Sequence, residues 1–243
     1  VASGTFDPGA NTITFMLGNV TWTPGPETYA NVVISKWNTN WVALSGTVNI
    51  TNLTLTDGFL ASGTANVSGN LIVGASADGS TATVVLNNAT VDQTITSSGG
   101  RMCGLTIDKG TKTATLNGDI IIGGNLTVTS GTFDPGANTL TFMLGNTTWT
   151  PGPETYANAV ISKWNTNWVT LSGTVNITNL TLTDGRLNSG TANVSGNVIV
   201  NAGSDSGSVV ITLNGTDAQS YTVAAGGAVP TGDLTISKST GTA

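Results

Sequence analysis

The chain has 243 residues, a net charge of −6 and only 8% charged residues, against roughly 25% in an average soluble domain. Seven basic residues cannot form a stripe that neutralises phosphates, which argues against nucleic acid binding. The absence of histidine and the single cysteine, Cys103, exclude His-dependent catalytic triads, His-bearing or all-thiolate zinc sites and an internal disulfide. No apolar run approaches the roughly 18 residues of a membrane span.

The first predicted feature in chain order is a long internal repeat, which begins with the phrase SGTFDPGANT. Segments 3–73 and 130–200 are related by a constant offset of 127 and are identical at 64 of 71 positions. Internal repetition indicates that one structural unit is used more than once. We therefore divide the chain into a first block, 1–127, and a second, incomplete block, 128–243, continuous with the first.

The next feature is the segment WTPGPETYA, which we expect to form a loop outside the strands. Three interpretations of the tryptophans around it remain open: packing under the loop, contact between protomers, or stacking on sugar. Val20 is replaced by Thr147 in the second block, which indicates an outward position, and alternation then places Trp22 outward as well. The candidate binding or inter-subunit residues are Trp22, Trp37, Trp41, Trp149, Trp164 and Trp168.

Short strands then recur along the chain, separated by Gly, Asn and Asp turn signals. Leu53 follows Val32 at the same separation at which Leu126 follows Leu105. This spacing predicts a coil of roughly 21 residues, within the range of known solenoid repeats. Four of the five lysines end the same short strand: Lys36, Lys109, Lys163 and Lys238.

Differences between the two copies predict which side chains face the core. Phe59 becomes Arg186, whereas the neighbouring Leu60 is retained as Leu187. A position that accepts both Phe and Arg faces solvent, and its neighbour in a strand faces the opposite way. We therefore expect both leucines to point inward.

Short strands that recur with such a coil length predict an all-β fold, a parallel β-solenoid that is right-handed by the crossover rule. The chain contains no stretch with the apolar spacing of a helix. Two Ig-like β-sandwiches of roughly 120 residues each are the alternative. The strand motif that ends in lysine recurs too often for one such strand in each sandwich, which favours the solenoid.

One segment carries a resemblance to known proteins. The sequence LTIDKGTKTATLNGDIIIGGNLTVTSGTFDPGANTLTF (105–142) resembles the repeats of large secreted bacterial β-solenoid proteins of the haemagglutinin and adhesin type. The resemblance implies an extracellular location, secreted or at the cell surface, and an adhesive or matrix role. It implies no catalytic residues.

Together these features predict a non-enzymatic structural module of an extracellular fibre, filament or surface layer. Its partners would be copies of itself, stacked head to tail or bundled side by side, because both chain ends fall inside the repeating pattern. An adhesin stalk that binds glycan or a surface through the tryptophan loops is the first alternative. A polysaccharide-active β-helix enzyme is the second, and it is disfavoured because most acidic residues lie in turn sequences. We predict no metal and no cofactor.

Overall fold

The computed structural model describes residues 6–242, and the fold is all-β. Parallel strands stack as a β-solenoid of about 11 turns, roughly 21 residues apart. The predicted solenoid is therefore confirmed, and the alternative of two β-sandwiches is wrong. Across the described range there is no helix that could cross a membrane.

The chain divides into two compact units, with the boundary between Asp134 and Pro135. The strands of the first unit are β1 Thr12–Met16, β2 Val20–Trp22, β3 Thr28–Ser35, β4 Trp41–Val67, β5 Leu71–Ala77, β6 Thr83–Leu86, β7 Gln93–Ser97, β8 Arg101–Met102, β9 Gly104–Asn117, β10 Ile120–Ile122 and β11 Leu126–Asp134. Those of the second unit are β12 Thr139–Phe142, β13 Thr147–Thr150, β14 Thr155–Ser162, β15 Trp168–Leu171, β16 Thr174–Asn188, β17 Thr191–Val194, β18 Val198–Ser204, β19 Val210–Leu213, β20 Tyr221–Val223 and β21 Leu234–Ile236.

Each unit is built from parallel ladders in which one turn covers the turn before it. In the first unit Leu105 of β9 pairs with Leu126 of β11, as the sequence spacing predicts. The coil length varies elsewhere, because turns of different length join the strands. Leu71, for example, lies closer in sequence to its preceding partner, Leu53, than to its following partner, Ile95.

The interior of each unit is filled by the inward side chains of these strands. Leu60 and Leu187 are 2% and 1% exposed, whereas Phe59 and Arg186 are only partly covered. The orientation predicted from the differences between the two copies is therefore confirmed. Cys103 also lies in the interior, and burial raises the pKa of its thiol to about 12.

Asparagine side chains form hydrogen-bonded ladders between successive turns. The Asn52 amide donates to Asn31 Oδ1 at 3.2 Å, and the equivalent bond from Asn179 to Asn158 has the same length. A polar side chain at the same level of each turn can thus satisfy its neighbour without charge. The ladders explain how a chain with so few charged residues keeps polar groups paired at its surface.

Candidate functional site

The structure separates the six tryptophans into three kinds of position. Trp149 is fully buried and its counterpart Trp22 is partly buried, whereas Trp37 and Trp164 are 68% and 55% exposed. Trp41 and Trp168 are the third kind. They end the surface loops that Trp37 and Trp164 begin, and Trp168 is 37% exposed. The interior pair is Trp22 and Trp149, the loop-start pair is Trp37 and Trp164, and the loop-end pair is Trp41 and Trp168.

The interior tryptophans each stand between two other aromatic rings. In the second unit the Trp149 ring lies 4.7 Å from Phe142 and 4.8 Å from Tyr156, the latter in an edge-to-face arrangement at 84°. In the first unit Trp22 lies 4.9 Å from both of its aromatic neighbours. These separations are those of favourable aromatic pairs, so the two rings belong to the core.

The outward orientation predicted for Trp22 is therefore wrong, and packing on neighbouring aromatic side chains is the interpretation that holds for Trp22 and Trp149. The prediction depends on treating the exchange of Val20 for Thr147 as the mark of a solvent-facing position. Thr147 is only 4% exposed, and its hydroxyl has no hydrogen-bond partner. Valine and threonine have nearly the same shape, so the exchange is compatible with an interior position.

This interior hydroxyl leads to a prediction on stability. Thr147→Val should raise the free energy of unfolding by about 1 kcal/mol, because burial of an unpaired hydroxyl costs about 1–3 kcal/mol and valine fills the same space. The urea midpoint measures the change. The control is Thr170→Ala, which copies Ala43 at a half-exposed position and should change stability by less than about 0.5 kcal/mol. A less stable Thr147→Val variant would contradict the prediction.

The segment between the interior Trp and the next Tyr is held to the core rather than extended into solvent. Tyr156 donates its hydroxyl to Glu154 Oε1 at 3.0 Å, and Tyr29 does the same to Glu27 at 3.3 Å. Burial, and then the negative charge of Glu154, raise the pKa of Tyr156 above its ordinary value. The Glu27 carboxylate lies so close to Gly25 that a side chain there would displace it.

The surface tryptophans lie at the two ends of a tight loop with the sequence WNTNW. Asn38 adopts a left-handed conformation with a φ of 53°, and the Asn40 amide donates to Trp37 O at 2.8 Å. The Trp41 backbone N–H donates to Asn19 Oδ1 of the preceding turn at 3.1 Å. The loop is thus fastened both within itself and to its neighbour.

The second unit repeats this loop with the same geometry. Asn165 has a φ of 56°, the Asn167 amide donates to Trp164 O at 2.8 Å, and Trp168 N–H donates to Asn146 Oδ1 at 3.1 Å. Asn146 belongs to the same unit as this loop. The two loops are therefore two copies of one preorganised surface element.

Sequence reasoning noticed the recurring lysines but missed what they do. Lys36, Lys109 and Lys163 are fully buried. The Lys109 ammonium donates to Asn88 O, Val91 O and Gln93 Oε1, each at 2.7 Å. The one signal in the sequence is the recurrence of lysine at the end of the same short strand in four turns.

The other strand-end lysines repeat this arrangement with main-chain acceptors from the preceding turn. Lys238 donates to Gly215 O, Asp217 O and Gln219 Oε1, again at 2.7 Å each. Lys163 donates to two carbonyls, Met143 O at 2.7 Å and Gly145 O at 3.0 Å. Each ammonium therefore ties one turn to the turn before it.

Carbonyl and amide oxygens accept these hydrogen bonds, so the dipoles of neutral groups supply the negative ends. Burial lowers the pKa of Lys163 from 10.5 to about 7 and also lowers the pKa of Lys36. In residues 6–242 no cluster of three or more acidic or thiol side chains is placed to hold a metal ion. The hydrogen bonds of the lysines join successive turns, whereas the tryptophan loops and the strand edges present exposed side chains.

Comparison with known proteins assigns no family to the chain. No family model matches the sequence, and neither curated proteins nor solved structures gave a match. The solenoid and its surfaces are therefore the basis for the function proposed below.

Proposed function

We propose that the chain is a non-enzymatic structural module of an extracellular fibre, filament or surface layer, extended by end-to-end stacking of solenoid turns. The observation that carries this proposal is the open edge at β21. Leu234 and Ile236 in this strand are 51% and 61% exposed. The residues at the same places in β9, Leu105 and Ile107, are completely buried.

The first unit supplies a template for how such an edge is covered. Leu126 of β11 pairs with Leu105, and Val128 pairs with Ile107. The strand LTISK at 234–238 presents nearly the same residues as LTIDK at 105–109. An edge with unpaired main-chain groups and apolar side chains is a template for a further strand, and we propose that a further solenoid turn, such as one from a second copy of the chain, covers it.

A second edge, at β1, supplies the partner surface. Met16 at the end of β1 and the following Leu17 are 61% and 69% exposed, and Phe6 is 47% exposed. The counterpart of Phe6 is Phe133, which is completely buried. Joining the β1 edge of one copy to the β21 edge of another gives a head-to-tail contact, which propagates as a filament unless its rotation closes a ring.

Charge and composition support the same proposal. With 8% charged residues the surface generates little electrostatic repulsion between copies. The resemblance of 105–142 to secreted bacterial solenoid repeats supports an extracellular location. Fibres of this kind need no cofactor, since main-chain hydrogen bonds and buried apolar side chains hold the turns together.

The experiment is to introduce charge at the open edge. Purified wild-type protein should form particles that lengthen with concentration in sedimentation velocity and electron microscopy. Leu234→Lys combined with Ile236→Lys should reduce assembly at least tenfold, because two ammonium groups would have to be buried against apolar side chains. Both leucine and isoleucine are exposed in the single chain, so its fold should be retained.

The matched control is Ile199→Lys. Ile199 is 42% exposed near the start of β18, which pairs with β16 on one side and β20 on the other and is therefore not an edge strand. This variant should assemble like the wild type. A wild-type chain that remains monomeric at every concentration, or an equal loss of assembly in the control, would refute end-to-end stacking.

A further inference from the structure

The two WNTNW loops present aromatic surface that the solenoid itself does not use. Trp37 and Trp164 are the most exposed tryptophans, and both belong to loops whose backbone is fixed by hydrogen bonds. Exposed tryptophan is costly, because its large apolar surface remains in water. A rigid loop that keeps it there in both copies is suited to binding, since little conformational entropy is lost on contact.

The exposed area is too small for a stable protein partner. A tryptophan side chain buries roughly 150–250 Å² when fully covered, so the open parts of two rings offer roughly 200 Å² per loop. A standard protein interface buries about 800 Å² on each partner. The loop therefore fits a ligand about the size of one or two ring-shaped units.

The polar groups of the loop indicate what kind of ring it accepts. Asn38 and Thr39 lie between the tryptophans and are exposed, so an amide and a hydroxyl are available beside the aromatic faces. Both groups donate and accept hydrogen bonds and carry no charge. This combination suits a sugar, which has an apolar C–H face and a rim of hydroxyl groups.

The residues of the neighbouring turn show that the two loops have only uncharged groups in common. Trp168 pairs with Arg186 of β16, but the equivalent of Arg186 in the first unit is Phe59. A positive charge therefore stands beside only one of the two loops. An acidic ligand would favour the second loop, whereas a neutral ligand can bind both.

We propose that each of the loops 37–41 and 164–168 is a binding site for a neutral glycan. The apolar face of a sugar ring packs on tryptophan, and Asn38 and Thr39, or their counterparts, bind its hydroxyl groups. One chain then carries two equivalent sites. Neither loop contains a residue of β1 or β21, so glycan binding and filament formation can be tested with separate variants.

The test is calorimetric titration with three neutral hexasaccharides, namely β-1,4-linked glucose, β-1,4-linked N-acetylglucosamine and α-1,4-linked glucose. Wild-type protein should bind at least one of them with two sites per chain. Trp37→Ala should leave one site, and Trp37→Ala combined with Trp164→Ala should weaken binding at least tenfold. Thermal unfolding should be unchanged, because both side chains are mainly in solvent.

The control removes an equal pair of exposed apolar side chains elsewhere. Ile72 and Ile199 occupy equivalent positions in the two copies and are 45% and 42% exposed. Ile72→Thr combined with Ile199→Thr should retain both sites. The proposal is overturned if no neutral hexasaccharide binds, if only an acidic polymer such as alginate binds, or if the isoleucine control loses binding equally. Retained binding in the double tryptophan variant also overturns it.

Discussion

Trp149→Ala should lower the free energy of unfolding by about 3–5 kcal/mol, the usual cost of truncating a fully buried large aromatic side chain. Trp149 is completely buried between the rings of Phe142 and Tyr156, so its removal leaves a cavity lined by aromatic side chains. In a solenoid each turn contacts its immediate neighbours, and the loss should be concentrated in adjacent turns. Urea denaturation measures the total, and amide hydrogen exchange locates it.

Two further truncations calibrate this result. Trp22→Ala should cost less than Trp149→Ala, since Trp22 has the same aromatic neighbours but is only partly buried. Trp164→Ala should change stability by less than about 0.5 kcal/mol, because this ring is 55% exposed. Equal losses at Trp149 and Trp164 would show that the distinction between core and surface tryptophans is wrong.

Lys109→Met should lower the free energy of unfolding by about 2–4 kcal/mol, although it replaces a buried charge with an apolar side chain. Replacing a buried ion pair by apolar residues is often neutral because both partners are removed. Here the acceptors Asn88 O and Val91 O are main-chain groups, which no substitution can remove. Each carbonyl left without its donor costs about 1–3 kcal/mol. Part of this loss is offset because the variant no longer has to bury an ammonium group.

The chain offers a control in its fifth lysine. Lys112 is partly exposed and lies shortly after Lys109 in the same strand, so Lys112→Met should change the urea midpoint only slightly. Lys238→Met should have an intermediate effect, because Lys238 has three equivalent acceptors but is only partly buried. A Lys109→Met variant as stable as the wild type would contradict the prediction, because it would show that these carbonyls do not depend on the Lys109 ammonium.

The fold could be predicted from the sequence because its determinants repeat. The regular recurrence of apolar positions, as in Leu105 and Leu126, is the direct consequence of one turn covering another. The change from Phe59 to Arg186 also carried clear information, since arginine is rarely left in an apolar core. Such differences in polarity and size identify the outward positions reliably.

The tryptophan positions were harder to predict for a physical reason. Val20 and Thr147 differ in polarity but hardly in shape, so an interior position can accept either at the cost of one unpaired hydroxyl. Alternation from that position then gave the wrong side for Trp22. The alternation of inward and outward side chains also changes phase at the loop before Tyr156, since Trp149 and Tyr156 both face inward. Only the three-dimensional path of the chain reveals this change.

The buried lysines were missed because most of their partners are main-chain carbonyls, which residue type does not encode. A search for charge partners looks for Asp or Glu, whereas Lys163 is held by the carbonyls of Met143 and Gly145. Every residue has a carbonyl, so the sequence contains no compositional signal for such a site. Only the position of lysine at the end of each strand hinted at a common role.

That reliance on main-chain oxygen has a consequence for how such a protein can grow over evolutionary time. The carbonyls that hold the lysines belong to residues as different as Met16, Asn88 and Gly215. A duplicated turn therefore brings its own cation and finds main-chain acceptors on the turn that precedes it, although Lys109 and Lys238 also use a glutamine side chain there. Gene segments that encode whole turns can be copied, deleted or exchanged with little penalty, and length becomes a trait that recombination can adjust freely.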